Sequence, residues 1–365
     1  MRYLIAPDKF KGTLSAQDVG QVLAEVIHQN DRDATVDILP IADGGEGTAA
    51  LLGSQLGAQT EVMETQDALG RPVIAEYFVS KTEAFFDMSA ASGLWRIAPQ
   101  ERNPLQSNTF GTGLIIKRLT DLGLDTIYIG LGGSATVDAG IGMAAALGYK
   151  FIGVDGSLLE PVPDSFDEIV RIQEPVAHNL PKVVGLADVE TTLLGESGAI
   201  YTFGPQKGLN PEQVRNLDIQ LAHLVQSVEQ NLSLNYAAVP RAGAAGGLGY
   251  GIMTFLKGKL ISGFAVVADR LRLANRIAAA DIVITGEGKL DLQSLQGKGP
   301  FGVASTAKAA GKPVWAIAGA VDAVEKMSPH FDRIISVVGP GVTLDEALAR
   351  PAETLRASAS QFWRK

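Results

Sequence analysis

"RYLIAPDKFKGTLSAQDVGQVLAEVIHQNDRDATVDILPIADGGEGT", residues 2–48, is the stretch that decides the fold class. Its opening, "RYLIAP", reads as a buried strand, apolar nearly throughout. Ser15, followed three positions on by Asp18, forms a capping-box pattern that starts a helix. Val19, Val22, Leu23, Val26 and Ile27 then recur at helical spacing and make one apolar face. "TVDILPI" is a second strand, and it ends in "ADGGEGT". Strand, helix and strand in this order make a βαβ unit, with polar loops at the strand ends.

The C-terminal third repeats that grammar. "ADIVITG", "PVWAIAG" and "RIISVVG" read as strands, and "GVASTAKAAG" as a helix. Thr343 and Glu346 form another capping box, and Pro351 should break the helix it starts. The middle differs. "TEVMETQ", "AEYFVS" and "EAFFDMS" follow closely, with "DALGRP" as a turn, so a meander with antiparallel pairing is expected. Beyond it come the helix "FGTGLIIKRLTDLG", the strand "DTIYIGL", a small-residue helix "VDAGIGMAAALG" and the strand "KVVGLADV". Asn210 and Pro211 open a long helix faced by Val214, Leu217, Leu221, Leu224 and Val228. The chain therefore reads as two unlike α/β domains. One, Rossmann-like, is assembled from residues 1–60 and 255–365, and the other, 61–254, is inserted.

Bulk properties narrow the function. The 365 residues carry a formal charge of -9 and 46% hydrophobic residues, enough for a sizeable core. No basic stripe stands out, which argues against nucleic acid as a partner. There is no cysteine, so disulfides, thiolate catalysis and cysteine zinc sites are excluded. The opening residues reach charge too soon for a signal peptide, and no apolar run approaches the ~20 residues that span a bilayer. A cytoplasmic protein without membrane contact is expected. The oligomeric state is left open.

Five segments share one design, an apolar strand followed by glycine with charged or hydroxyl residues. They are "APDKFKGT" (6–13), "ADGGEGT" (42–48), "GLGGSATVDAG" (130–140), "AGAAGGLGYG" (242–251) and "TGEGKLDLQSLQGKGP" (285–300). In open α/β sheets ligands bind beyond the carboxyl ends of the strands. Glycine lets a backbone approach a phosphate, lysine adds a point charge, and carboxylates suit Mg²⁺. Each loop taken singly is more often a tight turn. Lys9 and Lys11 could be solvated, and Asp43 or Glu46 could cap the helix at "TAALLG". Gly130, Gly132 and Ala135 fit a G-x-G-x-x-A variant of the dinucleotide fingerprint, with Asp155 as its distant acid, a weakly specific match. It keeps an NAD(P)-dependent dehydrogenase of a small hydroxy acid in view, beside a non-catalytic nucleotide sensor. No G-x-x-x-x-G-K-[ST] stretch exists, so a P-loop is excluded. His28, His178, His223 and His330 are scattered without metal spacing.

Together "IAPDKFKGTLSA", "PIADGGEGT", "GLGGSATVDAG", "FGPQKG", "AAGGLG" and "TGEGKLDLQSLQGKGP" resemble, in order, the signatures of the bacterial-type (type 1) glycerate kinase family. The resemblance covers essentially the whole chain. It implies ATP-dependent phosphorylation of D-glycerate with Mg²⁺, mostly to 2-phosphoglycerate, on two unlike α/β domains with a cleft between them. One departure stands out. After Asp188 and Val189 the family usually runs Asn-Pro-Leu, and this chain has Glu190, Thr191, Thr192 and Leu193.

That chemistry calls for charge neutralisation, positioning and help with the hydroxyl proton. Metal-holding carboxylates are expected among Asp43, Glu287 and Asp291. Gly130, Gly132, Gly133, Ser134, Ala135 and Thr136 are expected around the nucleotide, with backbone N–H groups on its phosphates and a helix starting near Val137 behind them. Gly286, Gly288 and Lys289 are expected beside the nucleotide too. Lys9 or Lys11 would meet the glycerate carboxylate or the γ-phosphate. Asp188, with Asp138 as the alternative, would orient the acceptor hydroxyl.

Overall fold

The computed structural model describes residues 1–176, 179–291 and 299–363. The chain divides into two compact units, Met1–Asp43 with Phe264–Lys365, and Gly44–Gly263. The division falls at Asp43/Gly44 and Gly263/Phe264, whereas the sequence placed it at 60/61 and 254/255. Helix Thr48–Gln55 accounts for the first difference, because it packs on strands Pro72–Val79 and Glu83–Asp87 of the second unit.

The first unit holds a five-stranded, wholly parallel sheet. Its order is Arg333–Ser336, Val314–Val321, Ile282–Leu290, Arg2–Pro7 and Thr35–Ile38. Both faces are covered, as a parallel sheet requires. Tyr3 and Ile5 pack with Val19, Leu23 and Val26 of helix Ala16–Asn30 and with Leu355 of helix Pro351–Ala359. Both expected capping boxes are present, Ser15 with Asp18 and Thr343 with Glu346, and the last helical stretch breaks between Ala349 and Pro351.

From Arg2–Pro7 the chain crosses to Thr35–Ile38, on one side. From Ile282–Leu290 it crosses to Val314–Val321, on the other. The connections diverge between Arg2–Pro7 and Ile282–Leu290, and at such a divergence open α/β sheets bind ligands.

The second unit has a six-stranded mixed sheet, ordered Lys259–Ile261, Lys182–Leu186, Thr126–Gly130, Glu83–Asp87, Pro72–Val79 and Gln59–Gln66. The last three form the antiparallel meander read from the sequence, and the rest pair in parallel. A short antiparallel pair, Lys150–Ile152 with Arg171–Gln173, stands apart. Helix Pro211–Leu232 buries Val214, Leu217, Leu221, Leu224 and Val228, the face its spacing foretold. No helix among the described residues is long and apolar enough to cross a membrane.

Candidate active site

At the carboxyl edge of the first unit's sheet, the loops after Arg2–Pro7 and Thr35–Ile38 lie beside strand Ile282–Leu290. The Asp8 amide donates to Gly286 O at 2.8 Å, and the Ile41 amide to Pro7 O at 2.9 Å. Asp8 is therefore close to Asp43. Its carboxyl is pushed up to about 7, first by burial and then by the like charge of Asp43, while the Lys9 amide and ammonium oppose the shift. The Lys9 amide donates to Asp8 Oδ1 at 2.6 Å. Residues Phe10–Leu14 close a tight turn, with the Phe10 amide on Leu14 O at 2.9 Å, and leave Lys11 exposed.

Gly286, Gly288 and Lys289 correct the sequence reading. The strand runs on to Leu290, so "TGEGKL" is sheet and not loop. Glu287 pairs with Ala318 and Lys289 with Ala320. A side chain at Gly286 would overlap the Ile317 carbonyl, so this glycine serves close strand packing. Lys289 is exposed and ion-paired with Asp322 at 2.7 Å. Asp291 follows the strand, half-buried. The remainder of the expected loop, residues 292–298, and His178 lie outside the described residues. Among the described residues no group of three or more Asp, Glu or His is placed to hold a metal ion.

In the second unit, register aligns Asp87, Gly130 and Leu186 across adjacent strand ends, with Asp188 two residues beyond. Asp87 accepts from the Gly47 amide at 2.7 Å and from the Ala49 amide at 3.1 Å. Helix Thr48–Gln55 is thus capped by a carboxylate from a neighbouring strand. The glycine-rich segment from Gly44 packs directly on the 130–140 loop. The Gly132 amide donates to Gly44 O at 3.2 Å, and a side chain on Gly132 would overlap Gly45 Cα.

The 130–140 loop departs from the expected phosphate cradle in two ways. The amides of Gly132 and Ala135 are taken by Gly44 O and Ser92 O, the latter at 2.9 Å. Only the tip at Gly133 is exposed. The helix begins at Ile141, not near Val137, and has six residues. Its first turn is closed by Asp138, which accepts from the amides of Gly142 at 3.0 Å and Gly140 at 3.4 Å. Asp138 also accepts from Thr109, at 2.8 Å from N and 2.7 Å from Oγ1. Burial pushes this carboxyl up, and its four donors hold it back. At 0% exposure, with its oxygens occupied, Asp138 ties two helix starts together and cannot reach a substrate hydroxyl. The same geometry disposes of the dinucleotide fingerprint, which needs a helix opening directly on the glycines. Its supposed acid, Asp155, accepts from the Ser157 amide and hydroxyl in an exposed turn.

"AGAAGGLGYG" supports this loop from behind. Ala245, Gly246 and Gly247 take left-handed conformations inside helix Ala244–Leu256, and Gly246 O accepts the Ala139 amide at 3.2 Å. In the departing turn, Glu190 pairs with Arg241, whose Nε donates to Ala187 O at 3.1 Å. Thr191 O takes the Gly243 amide at 3.0 Å. The turn after Asp188 is pinned without the Asn-Pro pair, and Asp188 stays half-buried at the strand end.

Lys207 escaped the sequence reading. It ends helix Ala199–Lys207, within "FGPQKG", and is 2% exposed. Its Nζ donates to Ser134 Oγ at 2.7 Å and to Thr136 O at 2.6 Å. Burial pulls this ammonium down to about 7, and the charge of Asp138 works the other way. Asp8 and Asp87 were missed as well. The signal for Asp8 was its place before Lys9 at a strand end. Nothing local marked Asp87 or Lys207, whose partners lie about 40 and 70 residues away in sequence.

Comparison with known proteins decides the lineage. The family model described as "Glycerate kinase family" matches residues 3–365. The chain belongs to the glycerate kinase family. A glycerate 2-kinase of Escherichia coli (strain K12) is 39% identical over 95% of this chain and 93% of its own length. A glycerate kinase of Halalkalibacterium halodurans is 37% identical over 98% and 96%. A crystal structure from Salmonella typhimurium LT2, provisionally assigned as glycerate kinase 2, is 35% identical with a TM-score of 0.82, covering 99% of this chain and 97% of that one. The mixed α/β architecture described above is shared with that structure, and the family match with its named relatives makes the chain a glycerate kinase.

Proposed function

We propose that this chain transfers the γ-phosphoryl group of ATP to D-glycerate, at the 2-hydroxyl, releasing ADP and 2-phosphoglycerate. The observation that carries the reading is the family match across residues 3–365, with relatives named glycerate kinase and glycerate 2-kinase covered nearly end to end. Asp188 orients the acceptor hydroxyl and takes its proton. Lys9 and Lys11 answer the negative charge of glycerate's carboxylate or of the transferred group, on a protein whose net charge is -9. Gly133, at the tip of the 130–140 loop, and Ser134, buried just behind it, supply donors to phosphate oxygens.

Mg²⁺ fits the first unit's edge. Burial first, and then the like charge of the neighbouring Asp43, holds Asp8 well above the usual range, and a divalent cation would offset both. Mg²⁺ commonly uses one or two carboxylates plus phosphates and water, so a cluster of three is not needed. Asp43 with Asp8 would hold it, with Glu287 and Asp291 on the same edge. When bound it neutralises charge on the nucleotide's phosphates.

An ADP-release assay with D-glycerate, followed by ³¹P NMR of the product, tests the reading. Turnover with a 2-phosphoglycerate resonance is expected. A 3-phosphoglycerate resonance would move the reaction to the other hydroxyl, and absence of turnover would overturn the activity.

A further inference from the structure

Lys207 is a charged side chain placed where charge is hardest to keep. It is 2% exposed, and no carboxylate among the described residues lies within ion-pair distance of its Nζ. The nearest counter-charge, Asp138, has its oxygens filled by Thr109, Gly140 and Gly142. An ammonium buried in this way costs several kcal/mol unless something repays it. The repayment visible within the unit is two hydrogen bonds, both to the 130–140 loop, with the Phe203 ring 6.0 Å from Nζ and the charge of Asp138 adding to them.

The direction of those bonds carries the argument. When protonated, Lys207 can only donate, and Ser134 Oγ then accepts from it. The hydroxyl's own proton is thereby turned away from Lys207 and kept for another acceptor. Thr136, held by the same Nζ through its carbonyl, fixes the following turn of the loop. Ser134 sits directly behind Gly133, the loop's exposed tip, and the Leu94 amide on Gly133 O at 2.8 Å holds that tip in place. The result is a hydroxyl held just behind the loop's exposed tip and backed by Lys207 in its protonated form.

Resting on the kinase reading above, we propose that Lys207 is a positioning residue for an oxyanion of the reaction. It locks Ser134 as a hydroxyl donor to that anion, and the anion supplies the charge that buried Lys207 lacks. Phosphate oxygens of the nucleotide and the carboxylate of glycerate share this chemistry. In a merely structural role, Lys207 would anchor the loop and leave substrate affinity alone.

Steady-state kinetics separate these roles. In Lys207→Met, the KM for either ATP or D-glycerate should rise roughly 10–100-fold, the worth of a charge-assisted hydrogen bond, with kcat within threefold. The substrate whose KM moves identifies the anion. Ser134→Ala should raise the same KM at least fivefold, and the double variant should be within twofold of Lys207→Met, because the lysine acts through the serine. The proposal is overturned if both KM values of Lys207→Met stay within twofold of wild type. It is also overturned if kcat falls alone, or if the two substitutions act independently. Should Lys207→Met fail to fold, Ser134→Ala decides: an unchanged KM rejects the proposal. If the wild type turns over no glycerate, the activity reading fails by itself. Calorimetric titration with inorganic pyrophosphate then tests the loop. A tenfold weaker Kd in Lys207→Met and Ser134→Ala sustains the proposal, and equal affinities or no binding to the wild type reject it.

Discussion

At the edge of the five-stranded sheet, Lys9 and Glu287 are half-buried, and Lys11 and Lys289 stand in solvent. At the corresponding edge of the six-stranded sheet, Asp87, Asp138 and Lys207 are buried, and each is held by hydrogen bonds from or to the backbone. The same kind of sequence, glycine mixed with charge after a strand, built both edges. In the first, Lys11 and Lys289 are exposed, and Lys9 and Glu287 are only half-buried. In the second, glycines let loops pack backbone on backbone, and charges satisfy the amides and carbonyls that packing buries. A glycine-rich polar loop is therefore not one device. Its use depends on whether another loop comes down upon it.

Substitutions can break or sharpen this contrast. Asp188→Asn should show the greatest loss, roughly 10²–10⁴ in kcat if the carboxylate takes the hydroxyl proton, with folding intact. A near-normal kcat removes Asp188 from that role. Asp138→Ala should act through stability. Stripping a carboxylate from four donors beside a buried ammonium should cost about 3–5 kcal/mol in urea unfolding. A cost below about 1 kcal/mol would show that the second edge is less tightly built than described.

The first edge should behave oppositely. Lys9→Ala and Lys11→Ala should raise the KM for ATP or glycerate by about tenfold, while stability stays within about 0.5 kcal/mol. If neither KM changes, outward charge at this edge is only solvated surface.

Lys207 adds a pH signature. Burial holds its pKa at about 7 in the fold, against an ordinary lysine value of 10.5. Between those values the unfolded chain binds more protons, so stability rises with pH. Its burial penalty is full below pH 7 and fades as pH climbs toward 10. Lys207→Met lacks that slope, so wild-type stability measured against it should improve steadily from pH 7 to 10. Parallel curves would place the lysine's charge in water. The smallest effect belongs to Lys289→Ala. The Lys289–Asp322 pair is exposed to solvent, so its loss should barely move stability, and activity should stay within twofold. A raised KM for ATP would restore Lys289 to the nucleotide.

Much of this was legible in one dimension. Capping boxes at Ser15 and Thr343, the apolar face of Pro211–Leu232 and the antiparallel meander all rest on residues within a few positions of each other. Periodicity and local hydrogen bonding act at that range. Loop roles were less legible. "TGEGKL" reads as a loop because glycine and charge disfavour strands, yet pairing with Val314–Val321 on one side holds it extended. "VDAGIGMAAALG" reads as one helix from Val137, yet Asp138 is drawn out to serve Thr109 and the helix waits until Ile141.

By itself, then, the sequence determined the α/β class, the family, the opening βαβ unit and the antiparallel meander. These depend on side-chain period and short-range capping, which the chain carries wherever it goes. Only the tertiary structure decided which loop charges are buried and which are presented. That choice depends on desolvation and on partners dozens of residues away: Lys207 under Ser134, Asp87 under Gly47, Asp8 beside Asp43. Burial sets the cost of a charge, and no residue shows its burial until the rest of the chain has closed around it.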